Sequence, residues 1–124
     1  MDVRRFQTLD LITINAWYAR RGLRTLHERE LSQAGFIVPG VAAVFLYGTD
    51  SNFAFIENLI SNPDRAPGVR KEAIDMLVDA TEKEAKALGY DRILFLSEHK
   101  QVFDHGKRHG FEFVTILNLY KKEI

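Results

Sequence analysis

The chain has no cysteine and no excess of charge of either sign. Without a thiol, disulfide scaffolds, thiolate zinc sites and a cysteine nucleophile are excluded, and a reducing compartment is compatible. Lys plus Arg and Asp plus Glu number 17 each, for a formal net charge of zero. A nucleic-acid binder usually carries a basic excess, so no nucleic-acid partner is expected. No apolar run approaches the roughly 20 residues that cross a bilayer. The opening Met1-Asp2-Val3-Arg4-Arg5 lacks the apolar region of a signal peptide. The expectation is a cytoplasmic protein without a membrane partner. What is present is ordinary for a soluble fold: 124 residues, 46% of them hydrophobic and 27% charged. That length suits a single domain over residues 1–124, with a real core and little to spare.

No repeat, low-complexity tract or linker divides the chain. Residues 3–7 read as a short first strand. Thr8 then offers an N-cap to a helix over residues 9–21, closed by Gly22, with Leu9, Ile12, Ala16 and Trp17, and Ile14 and Tyr18 beside them, on a broad apolar face. Residues 23–33 are polar and weakly patterned, and either a short helix or a substrate-side loop fits them. Strands follow at 35–38, 41–47 and 52–60, separated by the turn dipeptide Pro39-Gly40 and by Gly48-Thr49-Asp50-Ser51. This predicts an antiparallel meander. The apolar period then changes from two to 3.6. Val69, Ala73, Ile74, Leu77, Val78, Thr81, Ala85 and Leu88 make one helical face, and Gly89 stops the helix. A strand at 92–96 completes a parallel βαβ crossover, right-handed by default. A short helix over 100–109 and an alternating final strand over 111–120 end the pattern. The fold class is α/β (α+β), with a mixed, mostly antiparallel sheet flanked by helices. Phe36, Phe45, Tyr47, Phe53, Phe55, Phe95, Phe111 and Phe113 are its expected aromatic core.

Chemistry concentrates between the third meander strand and the long helix. The loop Ser61-Asn62-Pro63-Asp64-Arg65-Ala66-Pro67-Gly68 brings unpaired backbone N–H groups, at the positive end of a helix, to the C-terminal edge of a strand. Arg65, Arg70 and Lys71 add cationic side chains at the same point. Such a place binds a phosphate or pyrophosphate. Elsewhere, Arg20, Arg21 and Arg24 have Asp2 and the acidic residues of 28–30 as available partners, and a mixed-charge surface is the preferred reading.

The order of elements, together with Arg65-Ala66-Pro67-Gly68-Val69-Arg70 and His109-Gly110-Phe111, resembles the GNAT acetyltransferase superfamily. The likeness runs from about Val3 to Tyr120. In that family the loop carries a [Q/R]-x-x-G-x-[G/A] pattern. Here the first Arg and the central Gly are kept, and Arg70 replaces the last small residue. The Gly-Phe pair resembles the family's junction between its last helix and the following strand. Trp17, Gly35, Asn58 and Pro63, in their contexts, resemble small acetyltransferase-like proteins of bacteriophages, which implies the host cytoplasm as the location. The resemblance implies acetyl-CoA as acyl donor, held at the pantetheine arm by the backbone of Leu59, Ile60 and Ser61. It implies that Arg65, Ala66, Gly68, Val69, Arg70 and Lys71 hold the pyrophosphate. Arg70 either adds a phosphate contact or crowds the loop; the contact is preferred, because an Arg fork suits a polyanion.

The implied reaction is attack of an amine on a thioester, which needs a base, an oxyanion donor and a proton for the leaving thiolate. Glu57, a lone carboxylate in an apolar strand, stands where many family members place the acidic residue that deprotonates the amine. Solvent or a structural Arg could also account for it, and the catalytic reading is preferred. Relatives commonly have a Tyr shortly before the Gly-Phe pair, and Gly106 stands there. His105 is the candidate donor in its place, a solvated surface histidine being the alternative. His105 and His109 have a helical metal-ligand spacing but no third ligand, so no metal is expected. Trp17 and Tyr18 either line an acceptor pocket or pack. Three functions follow. The first is acetyl-CoA-dependent transfer to an unidentified amine acceptor. The second is a catalytically inactive acetyltransferase fold that binds a protein partner. The third is a binder of another phosphate ligand. A homodimer through the final strand stays open.

Overall fold

The computed structural model describes residues 1–97, 104, 106–115 and 117–124. Five strands form one sheet in the order of the chain: β1 (Arg4–Arg5), β2 (Ala34–Val38), β3 (Ala42–Tyr47), β4 (Phe53–Ser61) and β5 (Arg92–Leu94). The first four are antiparallel neighbours, and β5 lies parallel to β4. Helix α1 (Asp10–Arg20) covers one face and α2 (Pro67–Ala87) the other.

Alternation along β2 and β3 divides the core cleanly. Phe36, Val38, Ala42, Val44 and Leu46 meet Ala73, Leu77 and Ala85 of α2. Ile37, Ala43 and Phe45 meet Ile14, Trp17 and Tyr18 of α1. A strand with both faces covered must be apolar throughout, which is why β3 reads Ala-Ala-Val-Phe-Leu-Tyr. Thr81, fully buried on α2, returns its hydroxyl to the Leu77 carbonyl at 2.7 Å and so brings no unpaired polar group into the core.

The turns form as expected. Gly40 has φ of +76° in a Val38–Val41 turn closed by a 2.9 Å hydrogen bond. Gly22 and Gly89 end the two helices at φ of +70° and +92°. The 23–33 segment is a loop around a 3-10 turn, Glu28–Glu30.

Several expectations fail. Leu9, not Thr8, stands at the N-cap of α1, without a side-chain cap; Asp10 in the first turn takes the Gln7 N–H instead, at 2.8 Å. The buried face of α1 is narrower than expected: Ile14, Trp17 and Tyr18 are buried as expected, while Leu9 and Ile12 are 79% and 76% exposed. The helix touches the sheet along one narrow ridge, and residues 9 and 12 lie beyond it. Residues 111–115 and 117–120 form no strand, and Phe113 is exposed rather than core. A cleft of about 750 Å³, lined by residues 90–94 on one side and His109, Gly110, Phe111 and Glu112 on the other, separates that segment from β5. The three residues of β5 also give it little ladder to join. Leu88, assigned to the inner face of α2, is likewise exposed. Within the expected helix over 100–109, Asp104 and residues 106–108 are helical, and residues 100–103 and His105 lie outside the described residues.

Candidate functional site

The β3–β4 ladder loses its regular register in the middle of β4. Ala43 pairs with Ile60, yet Phe45 pairs with Glu57, so two β4 residues, Asn58 and Leu59, oppose Val44 alone. This is a β-bulge, and Asn58 takes its left-handed conformation, φ +57°. Asparagine tolerates that region better than most side chains. Two tyrosines hold it there. The Tyr18 hydroxyl donates to the Asn58 carbonyl at 2.9 Å, and the Asn58 side-chain amide donates to the Tyr47 oxygen at 2.5 Å. Tyr47 in turn donates to the Glu30 carbonyl at 2.9 Å, tying the bulge to the 3-10 turn.

Glu57 lies beside the bulge, opposite Phe45 and half-buried on the α1 face with Tyr18 and Tyr47. Among the described residues no hydrogen bond or ion pair reaches its carboxylate. Burial pushes Glu57 above the usual carboxylate range. Burial also raises Tyr18, with Tyr47 and Glu57 adding to it, and raises Tyr47 despite the Asn58 hydrogen bond. The site therefore places one carboxyl group, unpaired among the described residues, between two phenols. That arrangement attracts a cationic or proton-donating ligand.

β5 accompanies β4 only over Phe53–Phe55. From Ile56 to Ser61, no strand lies beside the outer edge of β4 among the described residues. Asn62 shapes that loop. Its N–H bonds to the Val41 carbonyl at 2.7 Å, its side-chain amide bonds to the Gly40 carbonyl at 3.0 Å, and its side-chain oxygen takes the Asp64 N–H at 2.9 Å. Pro67 opens α2 with no side-chain cap and no acidic residue in the first turn, so the first N–H groups keep their capacity for an anion. A Cβ on Gly68 would meet nothing within 4 Å, so the approach to that turn is open.

The basic residues around this turn have unequal partners. Arg20 pairs with Asp64. Arg24, further along, pairs with Glu30, so the expected mixed-charge cluster of Arg20, Arg21 and Arg24 is divided between two places. Among the described residues, the Arg21 side chain bonds to Ser61 alone, through the carbonyl at 3.0 Å and the hydroxyl at 2.9 Å. The Nη1 of Arg65 lies over Gly40, 3.7 Å from where a Cβ would stand. Arg70 buries its Nε, which has no hydrogen-bond partner among the described residues. An unsatisfied charged donor is a cost of about 1–3 kcal/mol or more. Ala66, at the N-cap, is exposed, Val69 packs onto the α2-side core, and Lys71 is exposed. Leu59 packs on the α2 side and Ile60 is buried on the α1 side.

At the other end of the chain, His109 sits between two carboxylates of α2. Its Nε2 is 2.9 Å from Asp75 and its Nδ1 is 3.3 Å from Asp79. Arg108 also bonds to Asp75, at 2.7 Å. This fastens the turn before Gly110-Phe111 onto α2. Gly106, where the resemblance places a tyrosine, is closed: a Cβ there would lie 2.7 Å from the Phe95 ring, which packs edge-on against Phe111. Trp17 is buried in the α1-side core, as the packing reading has it. The 750 Å³ cleft lies along β5 and the last turns of α2 and contains neither Glu57 nor the loop.

Tyr47 and Arg21 are the site residues that sequence reasoning passed over. Tyr47 ends an apolar strand and reads as core. Arg21 reaches a partner 40 positions away, which no local pattern signals.

No protein-family model and no curated protein matches the chain. Solved structures do. A probable acetyltransferase superposes with a TM-score of 0.74 at 11% identity, over 100% of this chain and 98% of its own. A Mycobacterium tuberculosis protein, Rv2747, solved in complex with CoA, gives 0.72 at 19% identity, over 97% and 76%. The aminoglycoside N-acetyltransferase AAC(6')-Iy, also in complex with CoA, gives 0.67 at 20% identity, over 99% and 100%. At such identities the likeness carries architecture: this chain has the fold of acetyltransferases.

Proposed function

We propose that the chain is an N-acetyltransferase that takes acetyl-CoA as donor and an amine as acceptor. The observation that carries this reading is the arrangement along β4. A half-buried, unpartnered carboxylate, a bulge, an unpaired strand edge and an open helix start follow one another from Glu57 to Gly68. The CoA complexes of two structural neighbours support the choice of donor.

In this reading the unpaired edge of Leu59, Ile60 and Ser61 takes the pantetheine arm. The turn formed by Arg65, Ala66, Gly68, Val69, Arg70 and Lys71 takes the phosphates. Glu57 receives the proton of the acceptor ammonium, directly or through water, and its affinity for protons, raised by burial, favours that transfer. The free amine nitrogen then bonds to the thioester carbon, the carbon–sulfur bond breaks, and the thiolate leaves with a proton. His105, the candidate for that last proton, lies outside the described residues.

Calorimetric titration of the purified chain with acetyl-CoA, with ATP as control, tests the donor. A panel of amines assayed for thiol release, with Glu57→Gln beside the native chain, tests the chemistry. Turnover that falls by about 10²-fold or more in Glu57→Gln supports the assignment. Turnover unchanged in the variant removes Glu57 as base.

One observation favours a second reading, a fold kept for binding a protein partner. Phe95 fills the space over Gly106, so no hydroxyl stands where the resemblance expects the leaving-group acid. Acetyl-CoA binding without thiol release from any amine in the panel would favour it.

A further inference from the structure

Helix α1 is apolar on two sides. Ile14, Trp17 and Tyr18 face the sheet. At about 100° per residue, Leu9, Ile12, Ala16 and Ala19 fall on the opposite side. Leu9 belongs to this stripe because its backbone is already helical, with φ of −64° and ψ of −23°. All four are exposed, Leu9 and Ile12 by 79% and 76%. A surface helix ordinarily turns polar and charged residues to water, and one that is apolar all round is buried. The ionic residues of α1, Asp10 and Arg20, are already paired within the chain, with Arg4 and Asp64. The outer stripe therefore offers nothing to a partner chosen by charge.

The spacing says what fits it. Intervals of three, four and three residues are those of a seam against another helix. They also read the same in both directions, which an isologous two-fold contact requires. A two-fold axis at the level of residue 14 sets position 9 of one copy against position 19 of the other, and position 12 against position 16. Each pairing puts a leucine or isoleucine over an alanine, so bulk meets space along the whole stripe. The antiparallel arrangement also sets the positive start of each helix beside the negative end of its neighbour.

We propose that the outer face of α1 is the contact of a two-fold, antiparallel dimer of this chain. The inference is independent of the acetyl-CoA reading. A helix of 11 residues is about 16 Å long, so its outer face alone falls short of the roughly 800 Å² per partner of a standard interface. The dimer is accordingly reversible, and its population depends on concentration.

Sedimentation equilibrium of the full chain, over about 1 μM to 1 mM, tests it. The average mass should climb from 14.3 kDa towards twice that value. Ile12→Glu changes an exposed residue to another good helix former and should weaken association about tenfold or more. Leu117→Glu puts the same charge on an exposed apolar residue of the final segment and should associate as the native chain does. A native chain that stays monomeric throughout overturns the proposal. So does equal association by Ile12→Glu, or dissociation by Leu117→Glu in its place. Should Ile12→Glu fail to fold, cross-linking answers instead, because the native chain has no thiol to confuse it. In an equal mixture of Ile12→Cys and Ala16→Cys chains, mild oxidation should form the mixed disulfide well above the share that random collision gives. A mixed product at or below that share overturns the antiparallel seam.

Discussion

Tyr18 and Asn58, forty positions apart, are joined by a 2.9 Å hydrogen bond from the phenol to the backbone carbonyl. That carbonyl is turned out of the β3–β4 ladder by the bulge, so a helix side chain supplies the donor that a strand neighbour would supply elsewhere. The Tyr47 hydroxyl takes the Asn58 amide from the other side. The bulge beside Glu57 is thus held by two layers of the fold at once.

The left-handed backbone at Asn58 sets an order among its substitutions. Asn58→Gly keeps the conformation and loses only the amide bond to Tyr47, for a cost of about 1 kcal/mol. Asn58→Val adds β-branched strain at positive φ, and a loss of roughly 2–3 kcal/mol is expected. Urea unfolding of the two variants measures the difference. Equal stabilities would mean that the bulge is not strained for a branched side chain.

Gly35 marks the tightest approach in the α1-side core. A Cβ there would stand 2.6 Å from two ring carbons of Phe45 and 3.0 Å from the Phe6 Cβ. Phe6 packs edge-on against that ring, at 4.8 Å between centroids, which blocks its retreat. Gly35→Ala should therefore lower stability by about 1–3 kcal/mol. Gly68→Ala, where the added Cβ meets nothing within 4 Å, serves as the tolerated comparison. A melting temperature that drops no more in the first than in the second contradicts the packing.

Glu57 makes the fold sensitive to pH in one direction. Its carboxyl is raised by burial above the ordinary 4.5, so the folded chain holds the proton more tightly than the unfolded chain. The stability this lends is fully present below 4.5 and is lost as pH rises through the folded value. Glu57→Gln removes the loss. Relative to the native chain, the variant should gain melting temperature at pH 7, and the gain should shrink below pH 4.5. A difference that is constant with pH would show that Glu57 titrates as it does in the unfolded chain.

Glu30 works in the opposite sense. The Arg24 fork, then the His27 N–H, hold its carboxyl down at about 2 from an ordinary 4.5. Its contribution is present above 4.5 and is lost as pH falls through about 2. The His27 amide should lose protection from hydrogen exchange across that window, ahead of the Tyr18–Asn58 region. Simultaneous loss at both places would mean that the turn has no separate acid transition.

Much of this architecture is legible in residue order. The change from period two to 3.6 after Ser61, bounded by Pro67 and Gly89, marks the crossover, and Pro39-Gly40 marks the hairpin before it. The inner face of α1 is not, because Leu9 and Ile12 are as apolar as Ile14 and only the width of the docking ridge separates them. The final segment alternates like a strand, yet pairing needs a neighbouring edge, and β5 stops at Leu94. In the site, Glu57 stands out as a carboxylate among apolar neighbours. The bulge leaves one faint trace, an asparagine inside a strand. The Arg21–Ser61 contact leaves none, since it joins residues that meet only in the folded state.

The extra residue at Asn58 also sets a reading frame for β4. Glu57 and Ile60, three apart, face α1, while Ile56 and Leu59 face α2. Losing Asn58 would restore strict alternation with every neighbour on its own face: Glu57 opposite Phe45, Leu59 opposite Val44 and Ile60 opposite Ala43. The two cores would keep their residues, and what would go is the carbonyl and amide that Tyr18 and Tyr47 hold beside Glu57. A residue lost elsewhere in the strand has no such outlet and would exchange the two layers on one side of the gap.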